Sequence, residues 1–173
     1  MSPNAAPAVK SASSAGKILA IDYGRVRIGL AIADWPHGLP QPLATLGRIN
    51  RNEDMRRLRE LVREHAVNLI LVGLPLRLDG TRGDMAEETE RFARRVQKQI
   101  GVSVQMADER LTSWEAERQL EEQFGRRSSV TESSSAKKKA TEKFSVDSMA
   151  AAILLREYLE RLHAQKPTPD EAA

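Results

Sequence analysis

The sequence predicts an α/β domain built on a mixed, five-stranded sheet with helices on both faces. Two short apolar runs, at 18–21 and 28–33, are separated by only a turn's length, the mark of an antiparallel hairpin. Downstream of them, segments of helical periodicity alternate with compact apolar runs, which implies parallel strands joined by helices. The run at 67–74 is uninterrupted by charge and reads as an interior strand buried on both faces. A chain of 173 residues suits one compact domain with tails.

Residues 1–16 are rich in Ala, Ser and Pro and are expected to be a disordered tail, without the apolar centre of a signal peptide. The domain is expected over 17–163. Its first strand ends at Asp22, and the turn 23–27 contains Gly24. In the second strand Ile28, Leu30 and Ile32 alternate with Gly29, Ala31 and Ala33, so one face carries only small residues and admits a close neighbour. A third strand is expected at 43–48, after Pro40 and Pro42.

Asn50 and Glu53 have capping-box spacing, and Met55, Leu58, Leu61 and Val62 continue a helix to about His65. After the strand at 67–74, a loop with Pro75, Asp79, Gly80 and Gly83 leads into a helix over 85–99, closed by Gly101. A strand at 102–106 follows. Thr112 and Glu115 open a further helix to about Gln123. The Ser- and Lys-rich interval 125–143 reads as a mobile basic segment within the domain. The last helix spans 145–163, with Val146, Met149, Ala150, Ile153 and Leu154 as its apolar stripe, and 164–173 form a C-terminal tail.

Composition narrows the chemistry. The absence of cysteine rules out disulfides, thiolate metal sites and cysteine nucleophiles, and suits a reducing cytoplasm. His37, His65 and His163 lack the spacing of a zinc site, so any metal would take oxygen ligands, favouring Mg²⁺ or Mn²⁺. No apolar run approaches the roughly 20 residues that span a membrane. The net charge of +3 is only a slight pointer to a polyanion.

Asp22 closes a buried strand, at the sheet edge where open α/β sheets place ligands. Asp108 and Glu109 follow the last strand, and Asp147 lies in the first turn of the last helix. Each has an ordinary explanation, as a turn former or as a partner of a helix dipole. Together they form a carboxylate set whose mutual repulsion a cation would offset, suited to metal-assisted phosphodiester hydrolysis.

The stretch from Ile21 to Ala31, IDYGRVRIGLA, resembles the opening motif of the YqgF (RuvX) family of Holliday-junction resolvases. Val72–Thr81, Asp108–Thr112 and Val146–Ala151 are similar to the second, third and fourth motifs, in the family's order. The resemblance covers roughly 17–160 and implies an RNase H-like fold. It also implies a divalent-metal nuclease acting on structured nucleic acid, with members associated with maturing the 5′ end of 16S rRNA. It carries the acidic positions to Asp22, the Asp108–Glu109 pair and Asp147, with Glu109 preferred over Asp108 as ligand. One departure is Phe144, where the family usually has glycine.

Arg25 and Arg27 in the hairpin turn, Arg110 beside the acidic pair, and Lys137, Lys138, Lys139 and Lys143 are candidate phosphate contacts. Arg110 could equally neutralise its acidic neighbours, and Arg25 and Arg27 could be an ordinary solvated turn. Arg56, Arg57, Arg59 and Arg63 share their helix with Glu60 and Glu64 and are assigned to i,i+4 pairing. Trp35 and Trp114 read as packing residues. The leading expectation is an endonuclease on precursor rRNA. A resolvase on branched DNA, compatible with a homodimer, and a non-catalytic RNA-binding assembly factor are the alternatives. An ATP-binding domain of the actin type is disfavoured, because such proteins need two domains of this kind.

Overall fold

A computed structural model describes residues 16–111, 118 and 145–164. The expected helix from Thr112, the basic segment 125–143 with Lys137, Lys138, Lys139 and Lys143, Trp114, Phe144 and both tails lie outside the described residues.

Strand β1 (Gly16–Tyr23) pairs antiparallel with β2 (Arg27–Trp35), through a turn at 24–26. Strands β3 (Gln41–Pro42) and β4 (Leu46–Gly47) each pair antiparallel with β2 at different points along it. On the other side of β1 lies β5 (Val67–Leu74), parallel to it, and then β6 (Ser103–Asp108), parallel to β5. The order β3-β2-β1-β5-β6 gives five positions across a mixed sheet, with β4 sharing the edge position beside β2.

The strand expected at 43–48 is therefore interrupted. Between β3 and β4 the Leu43 N–H still donates to Leu30 O of β2 at 2.7 Å, but Leu43 O accepts from the Ser148 hydroxyl at 2.6 Å, and the Thr45 hydroxyl meets those of Ser145 and Ser148. The last helix thus takes over the carbonyl side of the edge strand there.

Helix α1 (Arg51–Glu64) starts as its capping residue predicts, with the Asn50 side chain accepting from Glu53 N–H at 2.9 Å. Helix α2 (Asp84–Ile100) ends at Gly101, whose φ of 78° is the left-handed cap that glycine adopts without strain. Arg56 bridges Glu53 and Glu60 as i,i+3 and i,i+4 pairs, whereas Arg57 and Arg59 donate to the carbonyls of Gly47 and Gln99. The pairing expected for this helix thus holds for Arg56, not for Arg57 or Arg59.

Alternation along β1 sorts the core into two layers. Leu19 and Ile21 face α1 and α2, meeting Leu58, Phe92 and Val96. Ile18 and Ala20 face the opposite layer, where Ala31 and Ala33 of β2 meet α3 (Val146–Ala164). The small-residue face of β2 is thus the bed of α3. Its buried stripe is Ser148, Ala151, Ala152, Leu154, Leu155 and Leu159, rotated from the stripe expected. Val146 instead lies 80% exposed. The reason is close approach: against the alanines and glycine of β2 the start of the helix turns Ser148, Ala151 and Ala152 inward, and leucines follow further along. Trp35 packs in this layer, and its ring stacks on His163, which in turn stacks on His37. Two histidines distant in sequence thus become neighbours.

Candidate active site

Asp22 sits near the end of β1 on the α3 face, directly opposite Gly29 of β2. On its other side, one residue beyond the Ile21–Val72 pair, lies Gly73 of β5. A side chain at either glycine would collide with a neighbour. A Cβ on Gly29 would overlap the Asp147 backbone, and one on Gly73 would overlap the Glu109 carboxylate. The two glycines are the gaps into which Asp147 and Glu109 settle, so one carboxylate stands on each side of Asp22. The Val146–Ala151 motif opens α3 with Asp147 in its first turn, and a 3₁₀ turn at Glu109–Leu111 delivers Glu109.

The charges crowd one another. Burial and the nearby Asp147 carboxylate push the Asp22 carboxyl up, while a hydrogen bond from Glu109 acts the other way. Burial, then the charges of Asp22 and Asp108, raise the Glu109 carboxyl to about 7. Glu109 therefore titrates near neutrality, hydrogen-bonded to Asp22. Arg27 Nε lies 3.0 Å from Asp147 Oδ2 in an ion pair. That pair lacks hydrogen-bond alignment, so this buried oxygen has no hydrogen-bond donor.

The chemistry of this donor set is that of a hard cation's ligands: every donor is a carboxylate oxygen, and one is a buried acceptor without a hydrogen-bond donor. Among the described residues, no three such side chains already enclose a common point. The carboxylates flank Asp22 across the strands in a row.

The two acidic residues at the end of β6 part company. Ala107 faces α3, so alternation sends Asp108 to the opposite face and brings Glu109 back towards Asp22. Arg110 clasps Asp108, with Nη2 2.6 Å from Oδ2 and its backbone N–H 2.9 Å from Oδ1, and holds that carboxyl below the usual range. Arg110 thus neutralises its neighbour Asp108. Arg25 turns away from the carboxylates and binds Glu88 of α2 at 2.6 Å. Arg27 alone of the three reaches the acidic row, through Asp147.

Sequence reading passed over the hydroxyl cluster under the start of α3. Ser148 is fully buried, donates to Leu43 O and meets the Thr45 hydroxyl at 2.9 Å. Ser145 Oγ accepts from Ser148 N–H at 3.2 Å, the pattern of an N-cap. This cluster fixes the helix end that carries Asp147. A serine one residue after Asp147 was the available signal.

The profile of the RuvX family, described as Holliday junction resolvase, matches residues 16–161. The chain belongs to the RuvX family. Among relatives in that family's range, a protein of Koribacter versatilis (strain Ellin345) named "Putative pre-16S rRNA nuclease" is 39% identical over 155 residues, covering 89% of this chain and 93% of the relative. A protein of the same name from Nitrosospira multiformis is 35% identical over 152 residues, covering 87% and 91%. The Thermus thermophilus RuvC structure superposes with a TM-score of 0.51 at 12% identity, over 88% of this chain and 99% of that one. That likeness concerns the fold, which is RNase H-like, as the motifs implied. No helix among the described residues is long and apolar enough to cross a membrane.

Proposed function

We propose that this chain is a divalent-metal-dependent endonuclease that hydrolyses phosphodiester bonds in structured nucleic acid, with the 5′ end of pre-16S rRNA as its substrate. The observation that carries this reading is Asp22 flanked by Glu109 and Asp147, each seated over a glycine. The names borne by relatives at 35–39% identity support the substrate. Clustered negative charge would weaken a pure phosphate binder, which argues against a non-catalytic factor.

Asp22, Glu109 and Asp147 would hold Mg²⁺ or Mn²⁺. When bound, such ions stabilise charge on phosphodiester oxygens and make water a stronger nucleophile. The chain's own contribution is placement. The Ser148 cluster fixes the end of α3, and Arg27 restrains the Asp147 carboxylate. Glu109, whose carboxyl sits at about 7, can yield its proton near neutral pH. Asp108, clasped by Arg110, serves to anchor the 3₁₀ turn. Lys137, Lys138, Lys139 and Lys143 join the proposal as phosphate contacts from sequence alone.

A second substrate, branched DNA, is favoured by the description of the family whose profile matches. The test is Mn²⁺-dependent cleavage of precursor rRNA and of a four-way junction, by wild type and Asp22→Asn. Cleavage of the rRNA lost in the variant is expected. Equal cleavage by both proteins would overturn the site, and cleavage of the junction alone would overturn the rRNA assignment. Tight RNA binding with no cleavage of anything would favour an assembly factor.

A further inference from the structure

Asp22 and Tyr23 are consecutive in β1 and face opposite layers of the sheet, so the acidic row has a counterpart behind it. There Tyr23 and Phe92, ring centroids 4.7 Å apart, help line a cleft of about 330 Å³. Arg48, Arg51, Arg91 and Arg95 line it with a single acid, Glu88. Two of these charges are already matched. Arg48 pairs with buried Asp54 at 3.0 Å, and Glu88 is taken by Arg25. Arg91 reaches Glu87 only loosely, at 3.7 Å, and among the described residues Arg51 and Arg95 have no carboxylate partner. Two arginines, Arg51 and Arg95, therefore line the cleft without a carboxylate partner among the described residues, beside Arg91. Such a cluster attracts an anion, and guanidinium forks suit phosphate.

The floor is rigid. Phe92 is 2% exposed, and the Arg48 guanidinium lies 4.9 Å from the centre of the Tyr23 ring while donating to the Tyr23 hydroxyl at 2.8 Å. Between cleft and acidic row runs the turn at 24–26. Arg25 ties it to α2 on the cleft side, and Arg27 ties its far end to Asp147. Val26, between them, is 75% exposed and leaves the crossing open.

We propose that this arginine cleft is a second phosphate-binding site, which holds the backbone of the same nucleic-acid strand after it crosses the 24–26 turn from the carboxylate row. The inference rests on the nuclease reading for the identity of the strand, but not for the existence of the site. It explains why unpaired arginines gather behind the acidic face, where α1 and α2 meet the end of β1.

The test measures binding of a single-stranded RNA oligonucleotide across a salt series, in full-length protein carrying Asp22→Asn so that nothing is cut. Arg51→Glu with Arg95→Glu should weaken binding by about tenfold or more and lower the salt slope by roughly one to two, at about 0.7 per phosphate contact. Arg63→Glu with Arg94→Glu makes the same charge change outside the cleft and should have a much smaller effect. All four positions lie on helix surfaces, and thermal melting verifies that both variants fold. Equal weakening by the two pairs would overturn the cleft, because net charge would then explain the result. Loss of ADP or inorganic phosphate binding with RNA affinity unchanged would overturn the strand assignment in favour of a free nucleotide or phosphate. If protein with Asp22 intact cleaves nothing while the cleft pair still weakens RNA binding selectively, the nuclease reading fails and the cleft stands.

Discussion

Replacing Glu109 by glutamine removes one negative charge from the crowded row while keeping the side chain's shape and supplying an N–H donor towards Asp22. In the wild type, Glu109 sits at about 7 against an ordinary 4.5. The folded chain therefore retains a proton that the unfolded chain releases. Stability is fully present at low pH and is lost as pH rises from the unfolded value through the folded one. At 1.36 kcal/mol per pH unit the full penalty is roughly 3 kcal/mol, and solvent reaching the half-buried side chain reduces it to about 1–2 kcal/mol. Glu109→Gln should thus melt with wild type near about pH 4 and melt roughly 3–8 °C higher at about pH 8, in the absence of divalent cation. Mg²⁺ or Mn²⁺ should raise the wild-type melting temperature more than the variant's. Cleavage should fall by about 10² or more. A variant less stable than wild type at high pH, or a gap that ignores pH, would refute the burial and charge crowding that raise the Glu109 carboxyl.

Three further predictions test the placement of the row. Gly29→Ala must displace the Asp147 backbone and so should cost about 1–3 kcal/mol in chemical denaturation, whereas Gly73→Ala meets only the movable Glu109 side chain. The second variant should melt close to wild type and yet lose cleavage, and a large stability loss there would contradict the geometry. Asp108→Asn, whose carboxylate is committed to Arg110, should cost no more than about 1 kcal/mol and retain cleavage that Glu109→Gln loses. Nuclease assays on the two variants side by side decide between them as ligand. Ser148→Ala leaves Leu43 O without its donor and should cost about 1–3 kcal/mol, read in denaturant melts, with reduced cleavage through a loosened Asp147.

Much of the scaffold is written in local sequence. The strand pattern at 18–21 and 28–33, the Asn50 cap and the Gly101 stop depend on neighbours within a few residues, and the structure has each of them. The small face of β2 was legible too, because alternation is a strictly local property, and α3 lies on it. Asp22 was placed by the same logic, at the end of a strand whose burial its own residues dictate.

What the tertiary structure alone decided is the company each charge keeps. Arg25 and Glu88 are 63 positions apart, and their pairing follows from how α2 packs under the β1–β2 turn. The separation of Glu109 from Asp108 required the register of β6 on β5, since one residue of slip would exchange their faces. The break in the edge strand and the arginine cleft likewise arise where distant segments meet. Sequence determined that Asp22, Glu109 and Asp147 were available, because a residue's type and its place in a strand or helix are local. Packing determined that the other two flank Asp22, because electrostatic interaction depends on distance in space and not on position along the chain.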